Sequence, residues 1–170
     1  MTVVAETPRL LIRQITADDT DDMFAVYGDA HAMQWVGDGR ALTREQCDTW
    51  VEVTLRNYRE RGYGMFAIVA RESGRTLGFI GLVHLGGHPV PELKYALRRD
   101  AWKQGFGTES AKALLRYAST LGIREVIATV SRENAASMGV LLKAGFTTGG
   151  LRVDDDGEYT QVFVWRSLAR

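Results

Sequence analysis

The run Leu97-Arg-Arg-Asp-Ala-Trp-Lys-Gln-Gly-Phe-Gly-Thr-Glu109 has the residue types and spacing best suited to chemistry in this chain. Gly105 and Gly107 stand two apart where an apolar strand pattern gives way to a helical one. They let consecutive backbone N–H groups turn into one concavity, and the helix N-terminus behind them adds roughly half a positive charge. A pyrophosphate suits such a cradle. Arg98, Arg99 and Lys103 are close enough in sequence to add ionic contacts to further phosphates. The alternative is that the two glycines merely make a tight turn. The run is neither a P-loop, since no Gly-Lys-Ser/Thr follows, nor a dinucleotide fingerprint, since the third glycine and the later acidic residue are missing.

The elements that must position this loop follow from periodicity. Upstream, Glu92 to Arg98 alternates, with Leu93, Tyr95 and Leu97 on one side and Glu92, Lys94, Ala96 and Arg98 on the other, which predicts a strand with one polar face. Downstream, Ala111, Leu114, Leu115, Ala118 and Leu121 keep a helical period that ends at Gly122. Glu125 to Val130 reads as a short buried strand, and Asn134 opens a helix stopped by Gly145. Earlier in the chain, Leu10 to Ile15 is a first strand, and Thr16-Ala-Asp-Asp19 is a start signal for a helix over Asp21 to Gly28. Thr43 and Gln46 have capping-box spacing for a helix ending near Gly62. Tyr63 to Ala70 and Thr76 to Leu85 form a hairpin about Glu72-Ser-Gly-Arg75, and Phe146 to Val153 and Tyr159 to Ser167 form another about Asp154-Asp-Asp-Gly157. Helices covering a mixed sheet place the fold in the α+β class.

Composition bounds what such a fold can do. The chain has 170 residues, 45% hydrophobic and 25% charged, as in one ordinary domain, and this excludes a disordered or collagenous chain. No linker, repeat or low-complexity block divides residues 1–170, so a single domain is expected. Lys plus Arg balance Asp plus Glu at 21 each, which disfavours non-specific nucleic-acid binding. The single Cys47 and the scattered His31, His84 and His88 give no zinc spacing, so no metal is expected. The start of the chain lacks a signal-peptide pattern and no apolar run is long enough to span a bilayer, which together with the lone cysteine predicts a cytoplasmic protein without membrane attachment.

Trp102-Lys-Gln-Gly-Phe-Gly-Thr-Glu-Ser110, followed in order by Asn134-Ala-Ala-Ser137 and Lys143-Ala-Gly-Phe146, resembles the GNAT superfamily of acyl-CoA-dependent N-acyltransferases. The resemblance is strongest to the branch containing the ribosomal-protein N-terminal alanine acetyltransferases. Thr7-Pro-Arg-Leu-Leu-Ile-Arg13 is similar to that branch's opening strand and Glu92-Leu-Lys-Tyr-Ala-Leu97 to its central strand. Two residues depart from the family pattern: Lys103 stands where a glycine is usual, and Trp102 where an Arg or Gln is usual. The resemblance implies a mixed, mostly antiparallel sheet of about seven strands flanked by about four helices. It also implies acetyl-CoA as acyl donor, held by Leu97, Arg98 and Arg99 and by Lys103, Gln104, Gly105, Phe106, Gly107 and Thr108. Two neighbouring strands, Glu92 to Arg98 and Glu125 to Val130, would splay to admit the pantetheine arm. Asn134 would hydrogen-bond the cofactor or a water beside it, or simply cap its helix. A homodimer is a further expectation, since dimers are common among relatives.

The implied reaction needs a neutral amine, a donor for the developing oxyanion and a proton for the departing thiolate. A backbone N–H around Tyr95 to Leu97 suits the oxyanion, and Ser137, one turn after Asn134, suits the thiolate. Glu92 is the leading base for the ammonium, with His84 and the Asp154 to Asp156 turn as alternatives. Trp35 in Met33-Gln-Trp-Val-Gly37, with Tyr95 and His84, is placed on the acceptor side, whereas Trp50, Tyr58 and Phe66 serve either that wall or the core. The acceptor is a small amine or a protein N-terminus. Two other classes stay open: a catalytically silent acyl-CoA-binding module, and an unrelated nucleotide-binding domain using the same glycine loop.

Overall fold

The computed structural model describes residues 1–36 and 39–168. Its helices begin where the sequence supplies caps. Thr43 accepts from the Gln46 N–H while the Gln46 side chain answers to the Thr43 N–H, and the helix so opened, α3 (Arg44–Arg61), ends on Gly62 at φ 84°. Thr16 and Asp19 form the same reciprocal box ahead of α1 (Thr20–Tyr27). The other helices are α2 (Ala30–Met33), α4 (Phe106–Thr120) and α5 (Ala135–Lys143).

Among the described residues, eight strands make one sheet in the order β1 (Val3–Glu6), β2 (Leu10–Gln14), β3 (Met65–Ala70), β4 (Thr76–Val83), β5 (Glu92–Leu97), β6 (Glu125–Ser131), β8 (Tyr159–Arg166) and β7 (Thr147–Val153). Neighbours pair antiparallel except β5 with β6, which are parallel. The expected α+β class and mostly antiparallel sheet stand, with one strand and one helix more than the sequence reading gave. The added strand, β1, has only four residues, too few to display a period, and it exists because Val3, Ala5 and Glu6 pair with Arg13, Ile12 and Leu11 of β2. The added helix, α2, is one turn whose N-terminus Asp29 caps by accepting from the His31 N–H.

Apolar side chains fill both faces of the sheet. Leu93 and Leu97 of β5 join Leu114 and Ala118 of α4 and Leu141 of α5 on one face, while Ala96 joins Met23 of α1 and Val51 of α3 on the other. Tyr58 and Phe66 stack with centroids 5.5 Å apart, and Trp50 packs on Tyr27 at 5.2 Å, so these aromatics belong to the core. Among the described residues no helix is long and apolar enough to cross a membrane.

Candidate active site

β5 and β6 touch through one pair, Glu92 opposite Ile127, where the Ile127 N–H donates to the Pro91 carbonyl at 3.0 Å. Beyond it the two strands share no further pairing, and β6 is held instead along its whole length by β8. The Arg98 N–H donates to Leu77 on the β4 side, so strand alternation turns the N–H and C=O of Leu93, Tyr95 and Leu97 toward the gap. The gap opens into a cleft of about 750 Å³, walled by Leu93 to Tyr95, Ala128 to Ser131, Asn134, Ser137, Trp35 and the β7–β8 hairpin.

The glycine loop lies past the end of β5. Trp102 folds back so that its indole N–H donates to the Leu97 carbonyl at 3.1 Å, and the Gln104 amide donates to the Asp100 carbonyl at 2.7 Å. Lys103, exposed, has φ 60°, the one non-glycine residue of positive φ among those described, and Gly105 follows at φ 81° as the N-cap of α4. Gly105 brings no side chain to cap the first turn, so the donors of Phe106, Gly107 and Thr108 are left to an outside acceptor. A Cβ on Gly107 would stand 3.4 Å from Val140 Cγ2 and 3.6 Å from Tyr95 Cε2. These are ordinary van der Waals distances, so α4 packs against both here without requiring glycine.

Arg98 and Arg99 differ from the sequence expectation of added phosphate charge. Arg98 reaches Asp22 on α1 at 2.6 Å and the Thr76 carbonyl at 2.8 Å, and Arg99 reaches Asp29 at 2.7 Å. Carboxylates that tertiary packing brings close have taken both guanidiniums, and Lys103 is the cation in the loop without an ion-pair partner among the described residues.

On the opposite wall, Asn134 caps α5 by accepting from the Ser137 N–H at 3.2 Å, and Ser137 Oγ meets the Tyr95 hydroxyl at 2.7 Å. Burial pushes the Tyr95 pKa up and the Ser137 hydrogen bond draws it partly back, so the phenol is neutral at physiological pH. Glu92 is 3% exposed. It accepts from Thr129 Oγ1 at 2.5 Å and pairs with Lys94 at 3.4 Å; it does not itself line the cleft, although both partners do. His84 is held off the cleft between the Tyr63 hydroxyl at 2.7 Å and the His88 carbonyl at 2.8 Å. Asp154 and Asp156 do line it, and Trp35 is 45% exposed there; Gly37 of the same segment lies outside the described residues. Thr129 and Tyr159 are wall residues that sequence reasoning missed; a threonine interrupting the apolar run of β6 was the available signal for the first. No cluster of three or more metal-ligating side chains occurs among the described residues.

The sheet thus opens between two parallel strands, beside an uncapped helix N-terminus and a hydrogen-bonded phenol–hydroxyl pair. The family model described as "Acetyltransferase (GNAT) domain" matches residues 9–147, and the chain belongs to this family of acetyltransferases. It is similar to the uncharacterized N-acetyltransferase YoaA of Bacillus subtilis (strain 168), 29% identical over 150 residues, covering 87% of this chain and 85% of that one. Among solved structures it resembles the acetyltransferase from Agrobacterium tumefaciens str. C58, with TM-score 0.81 and 25% identity over 95% of this chain and 93% of the other. It shares its fold with the ribosomal L7/L12 alpha-N-protein acetyltransferase solved with coenzyme A, at TM-score 0.81 and 17% identity, over 96% and 97% of the two chains.

Proposed function

We propose that this protein transfers acetyl from acetyl-CoA to a primary amine, a small molecule or a protein N-terminus, by direct attack within a ternary complex. The observation that carries the reading is the single β5–β6 pair, which leaves the outward-turned N–H groups of β5 facing a cleft with Ser137 and Tyr95 on its wall. The donor set fits the acyl donor: Phe106 to Thr108 offer backbone N–H groups to the pyrophosphate, Lys103 adds charge, and Leu97 and Arg99 contribute main chain, whereas the Arg98 N–H and carbonyl are taken by Leu77 and Ala101.

The amine nitrogen forms a bond to the acetyl carbon, the carbonyl oxygen takes the negative charge, and an N–H of Tyr95 or Leu97 donates to it. When the C–S bond breaks, Ser137 gives the thiolate its proton and is resupplied from Tyr95, and the second proton lost by the amine nitrogen on forming the amide restores the phenol. Glu92 accepts the proton of the attacking ammonium through Thr129, whose hydroxyl donates to it and which lines the cleft. Asp154 and Asp156 are the alternative acceptors, since both face the cleft directly. Asn134 holds the start of α5 so that Ser137 stays in reach.

Thiol release from acetyl-CoA, screened over peptides beginning with Ala or Ser, free amino acids, polyamines and aminoglycosides, tests the reading. Amine-dependent release names the acceptor class. Tight CoA binding with no release over the whole panel would favour the silent binding module, and absence of CoA binding would overturn both.

A further inference from the structure

The turn between β1 and β2 reaches across the sheet to the glycine loop. Thr7 is buried, its N–H donating to the Leu10 carbonyl at 2.9 Å and its hydroxyl accepting from the Leu10 N–H at 2.9 Å. That same hydroxyl donates to Glu109 Oε1 at 2.5 Å, and the Arg9 N–H donates to it at 3.2 Å. The Arg9 guanidinium grips Glu109 Oε2 through Nε and Nη2, both at 2.7 Å, donates through Nη1 to the Gln104 carbonyl at 2.9 Å, and lies 4.3 Å from the centre of the Phe106 ring.

Two consequences bear on phosphate binding. The Gln104 carbonyl shares a rigid trans peptide with the Gly105 N–H, so drawing the carbonyl toward Arg9 aims that N–H the opposite way. Glu109, in the first turn of α4, stabilises the helix start but places a negative charge near a site for anions, and the Arg9 cation offsets it. Burial raises the Glu109 pKa, and the Thr7 hydroxyl and Arg9 more than reverse that, so its carboxylate stays ionised for Arg9 to hold.

We propose that Arg9 is a positioning residue for the pyrophosphate loop: pinned through Glu109 and Thr7, it sets the Gln104–Gly105 peptide and cancels the charge of Glu109. The inference rests on the proposed role of residues 103–108 as the pyrophosphate cradle.

The test compares affinity for CoA, by calorimetry, with affinity for pantetheine, which lacks every phosphate, by NMR titration. Arg9→Ala is expected to weaken CoA about tenfold and to leave pantetheine within about twofold. If the variant does not fold, Arg9→Lys carries the test, since an ammonium lacks the planar fork that holds Glu109 Oε2 through two nitrogens and the Gln104 carbonyl through a third; the same split is expected, at about threefold. With CoA bound, hydrogen exchange of the Gly105 amide should be quicker in either variant than in the unmodified protein, with the middle of α4 unchanged. Equal weakening toward both ligands, or no weakening toward CoA, overturns the positioning role. If the unmodified protein itself binds CoA no tighter than pantetheine, the pyrophosphate reading of the loop fails, and this inference with it.

Discussion

Tyr95 of β5 and Ser137 of α5, 42 positions apart, share a hydrogen bond of 2.7 Å on the wall of the cleft. The pair joins a phenol, kept protonated by burial, to a small hydroxyl at the helix start. Ser137→Ala and Tyr95→Phe are each expected to lower kcat for acetyl transfer on the order of a hundredfold. The double variant should be little worse than the slower single one, because both act on one proton path. Steady-state rates with the acceptor found by screening check this; independent, multiplying losses would break the path apart.

Glu92→Gln should keep an acceptor for the Thr129 hydroxyl while removing the charge beside Lys94. A fall in kcat on the order of a hundredfold, with unchanged CoA affinity, is expected of a proton acceptor. A kcat within twofold of the unmodified protein, set against a loss in Asp154→Asn or Asp156→Asn, would move the role to the β7–β8 turn.

Arg13 and Asp19 form a bidentate pair at 2.8 and 2.9 Å, with Asp19 also accepting from the Thr16 N–H. Burial raises the Asp19 pKa, but Arg13 and that N–H carry it below the usual carboxylate value. The stabilisation is therefore complete above the unfolded-state pKa of about 3.9 and is lost as pH falls through the lower folded value. Asp19→Ala strands the Arg13 charge and should cost about 3 kcal/mol at neutral pH, or about 10 °C in Tm. The gap between the two proteins should narrow as the pH drops below about 3, which thermal unfolding across pH would register.

Lys103 holds a left-handed backbone that glycine adopts without cost. Lys103→Gly should raise stability by up to about 1 kcal/mol, seen as a Tm gain of about 3 °C. It should also weaken CoA about threefold at low salt, an effect that fades as salt rises. Higher Tm with unaltered CoA affinity would mean that the ammonium does not reach a phosphate.

The amino-acid sequence by itself determined the local signals and their order. Caps at Thr16, Thr43 and Asn134 and stops at Gly62 and Gly145 depend on one turn of backbone, so they were legible without the fold. So was the strand-to-glycine-to-helix junction at 97–107, because it lies within one continuous stretch. Tertiary structure alone decided which charges meet. Asp22 and Asp29 claimed Arg98 and Arg99 across the α1 face, and Glu92, read as facing the substrate, is buried against Thr129. The Tyr95–Ser137 pair and the divergence of β5 from β6 likewise arise from elements far apart in the chain. Capping and periodicity are short-range, whereas ion pairing and burial depend on which distant surfaces the sheet order brings together, and no local pattern encodes that.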